Sequence, residues 1–246
     1  MGDDDWTAPL PVRRVQRSGD ATLGDGQWPA TLAPVAHVLT RGLDLAQATV
    51  VVGENGTGKS TFVEAVATAY GLSPEGGSTG ARHSTRVSES PLAESISLVR
   101  GAGASRWGYF LRAETMHGLF TYLEDNPPPR GETPFHELSH GESFLAMLGS
   151  NRFTGEGFFV MDEPEAGLSF TAQLALVGAL IQLVSQPGVQ VLIATHSPVV
   201  ASLPGATILE FDEAGIHERA WDDLDVVEHH RRFLEAPERY LRHLNY

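Results

Sequence analysis

Cysteine is absent from the 246 residues. Its absence excludes disulfides, thiolate chemistry and cysteine-bound zinc, so no zinc is expected, and it fits a reducing cytoplasm. Lysine is almost absent as well. Of the 17 basic residues all but Lys59 are arginines. No apolar run is long enough to span a bilayer, so no membrane insertion is expected. The opening Met-Gly-Asp-Asp-Asp has neither a basic region nor an apolar one, which argues against a signal peptide and for a cytoplasmic location. There is no internal repeat and no heptad run, which excludes a long coiled coil. Positive charge is scarce overall, with a net charge of −14. An acidic chain is a poor non-specific binder of nucleic acid or of an anionic membrane, although a local basic patch could survive that balance.

What is present is enough apolar residue, 41%, for a packed core, with 20% charged residues. Short buried-strand patterns at Ala48–Val52, Trp107–Leu111, Gly157–Asp162 and Val189–Thr195 alternate with helical spacings at Ser60–Tyr70, Thr115–Leu123, Leu138–Leu148 and Ser169–Ser185. That alternation predicts an α/β fold with a mostly parallel sheet flanked by helices. A hairpin is expected at Thr207–Phe211 and Gly215–Arg219. Residues 1–246 read as one domain. Within it, 1–30 form an arm and an antiparallel N-terminal edge strand, with Leu10–Val15 able to pair. Residues 71–150 form a loop and a small helical insertion, and 222–246 a helical tail. Gly71–Ser90 is rich in Gly, Ser, Thr and Pro and reads as a long loop, and Pro91–Val99 as a short helix.

The strongest chemical signal is Gly53-Glu54-Asn55-Gly56-Thr57-Gly58-Lys59-Ser60. It fits the phosphate-binding pattern of a glycine loop set between a buried strand and a helix, where successive N–H groups face an anion. The only lysine in the chain sits here. A compact ammonium fits under the glycine turn, whereas a planar guanidinium does not. Lys59 is expected to reach the β- and γ-phosphates and the Ser60 hydroxyl to ligate Mg²⁺, with Thr61 alongside.

Three weaker signals follow. Phe158-Phe159-Val160-Met161-Asp162-Glu163-Pro164 delivers carboxylates to a strand end, where α/β folds place ligands. Asp162 suits Mg²⁺, and Glu163 suits the polarisation of an attacking water. Leu138-Ser139-His140-Gly141-Glu142-Ser143 opens a helix as an anion site would, but on the hexapeptide alone a capping box of Ser139 with Glu142 explains it better. Ala194-Thr195-His196-Ser197-Pro198 puts a histidine just past a strand, either to meet a γ-phosphate or merely to cap the strand end. Trp28 could stack on adenine, with a core or hairpin role favoured. Arg82, Arg86, Arg100, Arg106 and Arg112 could bind a phosphate group, with scattered surface arginines favoured. The C-terminal arginines read as a solvated helix face.

Taken in order and spacing, these motifs resemble the ATP-binding cassette (ABC) ATPase superfamily across roughly residues 45–215. Gly53–Ser60 matches its Walker A motif, and Leu138–Glu142 its Leu-Ser-Gly-Gly-Gln signature, departing at His140 and Glu142. Phe158–Glu163 matches Walker B with the catalytic glutamate, Ala166–Ser169 the D-loop, and His196 the switch histidine. Glu114 is the best positional match to the Q-loop glutamine, as a metal-side ligand or as a simply solvated acid. The wording is most similar to a small stand-alone bacterial "AAA family / predicted ATPase" group related to SMC- and RecF-like ATPases. The resemblance implies ATP and Mg²⁺ as cofactors, with Lys59, Glu163 and His196 catalytic. It implies Ser60, Asp162 and Glu114 as metal ligands. It also implies a homodimer in which the P-loop of one copy, Gly53 to Thr61, meets Ser139, Gly141 and Glu142 of the other. The alternatives are a transporter's nucleotide-binding subunit, with a soluble or membrane partner left open, and a DNA-repair or defence-associated ATPase.

Overall fold

The computed structural model describes residues 9–79, 91–113, 153 and 155–242. Among these the elements in chain order are β1 (Arg14–Arg17), α1 (Ala33–Arg41), β2 (Leu43–Asp44), β3 (Ala48–Gly53), α2 (Lys59–Tyr70) and β4 (Gly77–Ser78). There follow α3 (Leu92–Ser95), β5 (Ile96–Val99), β6 (Gly108–Arg112), β7 (Gly157–Asp162), α4 (Phe170–Val184), β8 (Val189–Thr195) and α5 (Pro198–Ala201). The chain then runs through β9 (Thr207–Asp212), β10 (Gly215–Arg219), α6 (Asp225–Glu235) and α7 (Pro237–Leu241).

The main sheet has the order β10-β9-β3-β8-β7-β6-β4. Its five inner strands run parallel, and the two outermost are antiparallel to their neighbours. Strands buried on both faces carry alternating side chains to two separate cores. Val50, Val52, Phe159, Met161, Val191 and Ile193 face α4 and its Leu176, Leu180 and Leu183. Val51, Phe158, Val160, Leu192 and Ala194 face α2, through Phe62, Val63 and Val66, and α1. The mostly parallel α/β architecture is as expected.

The N-terminal segment pairs antiparallel, as expected, with Leu10 O accepting from the Gly101 N–H (3.0 Å) ahead of strand β1, but β1 is the central strand of a second, three-stranded sheet β2-β1-β5 rather than an edge. One buried side chain fastens the two sheets together. Gln190 on β8 accepts from the Val12 N–H (2.8 Å) and donates to the carbonyls of Val12 (2.6 Å) and Ala46 (2.9 Å). Pro91–Val99 is likewise not one helix. Leu92–Ser95 makes one turn, and Ile96–Val99 is strand β5, because β1 offers it a pairing edge. Within the expected loop, Gly77–Ser78 pairs with β6. Helix α1 went unread in the sequence. Its first turn carries Pro34 and its buried face Val35, Val38 and Leu39. The expected helices Thr115–Leu123 and Leu138–Leu148, and with them most of the helical insertion, lie outside the described residues.

Candidate functional site

The site is built where β3, β7 and β8 end side by side. Parallel register sets Val52 beside Thr195, and Asp162 beside both Ala194 and Arg112. Three turns leave these strands next to one another, and the side chains of interest lie on them.

The first is the glycine loop. Gly53, Gly56 and Gly58 all have positive φ. At Gly53 a Cβ would stand 2.3 Å from the Phe211 carbonyl oxygen, so only glycine fits there. Gly58, at φ 96°, lets the chain turn into α2 with free N–H groups at its start. The Thr57 hydroxyl and the Lys59 ammonium both donate to the Glu54 carbonyl at 2.9 Å. Lys59 is 4% exposed. Its burial pushes the ammonium below the ordinary lysine range, while the charges of Glu163, Asp162, Glu165 and Glu54 pull it back.

The second turn leaves β7. Asp162 is buried at its end. Arg112, ending β6, lies 3.5 Å from the Asp162 carboxylate and 2.7 Å from that of Glu64 on α2. Arg112 is therefore no surface arginine, as the grouping with its neighbours suggested. It is held by two carboxylates that the sequence separates widely. Glu163 takes φ 50°, the only positive φ outside glycine among the described residues. Such backbone strain persists where surrounding bonds fix it. Here the Glu163 N–H donates to Ala194 O (2.9 Å), and the Ala166 N–H donates to Glu163 O (3.0 Å).

The third turn leaves β8. His196 Nε2 lies 3.2 Å from Glu163 Oε1. Glu165 and Gln173 brace this turn, and sequence reasoning missed both. The only available signal was the run of acids in Asp162-Glu163-Pro164-Glu165. Ser169 caps α4, its hydroxyl accepting from the Ala172 N–H, so the D-loop match ends in an N-cap.

Trp28, 59% exposed, is neither a core nor a hairpin residue. It lines a cleft of about 210 Å³ with Leu32, Gly58, Lys59, Glu163 and His196. A wider cleft of about 1130 Å³ opens along Gly53–Thr57 toward Phe211, His229 and Phe233. The structure brings Gly53–Thr61, Asp162, Glu163 and His196 into one region. Glu114, Ser139, Gly141, Glu142, Arg82 and Arg86 lie outside the described residues. Arg100 stacks on Tyr70, 4.3 Å from the ring centroid, and Arg231 and Arg232 pair with Asp222 and Glu228 on the exposed tail.

A glycine loop with one buried lysine at the C-terminal ends of parallel strands defines a P-loop nucleotide site. The order of strand, loop, acidic strand end and histidine resembles that of ABC- and SMC-like P-loop ATPases. Comparison by sequence with known proteins is in keeping with this resemblance. Residues 125–202 match the family described as "AAA domain, putative AbiEii toxin, Type IV TA system". The chain is 26% identical over 219 residues to an "Uncharacterized ABC transporter ATP-binding protein" of Haemophilus influenzae, covering 79% of this chain and 82% of that protein. Similar solved structures include the SMC head domain from Thermotoga maritima, with 14% identity, TM-score 0.48, and coverage of 86% of this chain and 100% of that one. Another is cbiO1 from Clostridium perfringens, part of the ABC transporter complex cbiONQ, with 16% identity, TM-score 0.44, and coverage of 82% and 90%. No helix among the described residues is long and apolar enough to cross a membrane.

Proposed function

We propose that the protein binds ATP on the glycine loop, hydrolyses it with Mg²⁺, and uses the cycle as a dimerisation switch. The observation that supports this reading is the convergence on buried Lys59 of Asp162 and Glu163, with His196 3.2 Å from Glu163. Lys59 and the N–H groups of Gly53–Thr61 hold the phosphates. The donors available for Mg²⁺ are oxygens, the Ser60 hydroxyl and the buried Asp162 carboxylate, which suit a hard cation, with Glu114 as a further candidate. Held by those oxygens, Mg²⁺ would supply positive charge against the phosphates. Glu163 accepts a proton from the attacking water, and His196 orients that water and the γ-phosphate. Trp28 stacks on the base. Ser139, Gly141 and Glu142 of a second copy complete the site, so ATP joins two chains and hydrolysis parts them.

The test is isothermal titration with ATP, with phosphate release measured with and without Mg²⁺. Absence of binding at millimolar ATP sinks the reading. A second reading, the nucleotide-binding subunit of a transporter, is favoured by the name of the Haemophilus influenzae relative. Recovery of a membrane permease with an ATP-trapped Glu163→Gln variant supports it. An ATP-bound dimer free of any membrane protein supports the stand-alone switch.

A further inference from the structure

The turn after β7 carries a carboxylate for which the chemistry above has no use. Glu165 Oε1 accepts three bonds, from the Thr195 hydroxyl (2.6 Å), the His196 N–H (2.8 Å) and the Ser197 N–H (3.1 Å). The Thr195 hydroxyl oxygen in turn accepts from the Ser197 N–H at 2.9 Å. A carboxylate gathering two successive backbone N–H groups and a hydroxyl is a charge-assisted clamp, stronger than neutral hydrogen bonds of the same number. It closes on the one stretch of backbone from which the His196 side chain departs.

The clamp is continued on its far side. The Ser197 hydroxyl donates to Gln173 Oε1 (2.6 Å), and Gln173 Nε2 donates to Leu168 O (3.1 Å), on the turn that bears Glu165. In the opposite direction the Glu163 N–H rests on Ala194 O. The two turns are thus laced from both ends. The side chains that meet at 3.2 Å, His196 and Glu163, are the ones that lacing brings together.

We propose that Glu165 is a positioning residue for hydrolysis at this site. Its carboxylate fixes the turn that carries His196 and so holds the imidazole on Glu163. The inference rests on the reading of the site as an ATPase. Glu165 need not touch nucleotide, and its loss acts on the chemical step rather than on binding.

Steady-state hydrolysis, ATP affinity and thermal unfolding are measured for the wild type, Glu165→Ala, Glu165→Gln, His196→Ala and the Glu165→Ala/His196→Ala double variant. Glu165→Ala lowers kcat by about 10²-fold, the scale of an ångström-sized misplacement, with KM within about 3-fold of wild type. Glu165→Gln keeps the accepting oxygen and restores most of that loss. The double variant is no slower than His196→Ala alone, because both changes remove the same contact. Wild-type kcat in Glu165→Ala, or losses that multiply in the double variant, overturns the proposal. Should Glu165→Ala unfold, Glu165→Asp replaces it, with charge kept and the acceptor drawn back. An unchanged kcat there overturns the proposal equally, and a fall at constant KM supports it. A wild-type protein that binds ATP but releases no phosphate instead sinks the ATPase reading itself.

Discussion

His196 Nε2 lies 3.2 Å from Glu163 Oε1, and the two residues reach that contact from the ends of adjacent parallel strands. On the proposed reading, binding and chemistry fall to different residues, since neither side chain belongs to the glycine loop. Glu163→Gln is therefore expected to bind ATP within about 3-fold of wild type while kcat falls ~10²–10⁴-fold, the range for losing a general base. Because attack is blocked while the nucleotide stays, the variant accumulates as an ATP-bound dimer. Gel filtration with ATP and Mg²⁺ checks this, and a monomer at every ATP concentration counts against the dimerisation switch.

Lys59 makes the site costly to keep without nucleotide. Burial holds its pKa below the ordinary 10.5, against the pull of four carboxylates. The unfolded chain then binds more protons than the folded one in the window between the lowered value and 10.5. Stability rises with pH through that window, and below it, at neutral pH, the cost is fully present. Lys59→Met removes the cost. Its nucleotide-free Tm at pH 7 should equal or exceed that of wild type, and should climb less between neutral pH and pH 10. Saturating ATP should no longer raise it. Thermal melts across that pH range, with and without ATP, decide the matter. A Lys59→Met protein that melts well below wild type at pH 7 would show that the ammonium is a net stabiliser.

Much of this was legible in the sequence because it is local. Ala48–Val52, Gly157–Asp162 and Val189–Thr195 are runs of apolar residues closed by turns, and the observed strands match them to within a residue. The glycine loop announces its own backbone, since Gly53 and Gly58 stand where a Cβ meets other atoms at 2.3 and 2.9 Å. What stayed hidden depends on distant partners. Ile96–Val99 is a strand only because β1 lies beside it, and Arg112 is buried only because Glu64 and Asp162 flank it. Nothing within either segment carries that information. Glu165 is a similar case. Its donors come from a turn on another strand, so its neighbours in sequence say nothing of them.

Arg112 leads to a prediction about stability rather than catalysis. The side chains of Arg112, Glu64 and Asp162 are 18%, 14% and 5% exposed, so this ion-paired group is shielded from water. Removing one member of a buried pair leaves charge behind, at a cost of about 3 kcal/mol or more. Arg112→Ala should lower Tm by roughly 6–12 °C in nucleotide-free protein, given ~2–4 °C per kcal/mol for a chain of this size. Arg112→Lys keeps the charge but not the fork that reaches two carboxylates, so it should fall between. Differential scanning calorimetry measures both. A Tm unchanged in Arg112→Ala would mean that Glu64 and Asp162 are satisfied by other contacts.

Trp28 supplies the last test, because its exposure decouples binding from folding. A side chain 59% exposed contributes little to the core, so Trp28→Ala should leave Tm nearly unchanged. It borders the same cleft as Gly58 and Lys59, and its proposed role there is to stack on the base while the loop holds phosphate. Stacking of one base on an aromatic ring is worth about 1–3 kcal/mol, so Trp28→Ala should weaken ATP binding by about 5- to 150-fold. Trp28→Phe should recover part of that loss. Inorganic triphosphate, which has no base, should bind wild type and Trp28→Ala alike. Calorimetric titration with both ligands separates the contributions. If the two ligands lose affinity together, Trp28 supports the loop rather than the base, and the stacking role is wrong.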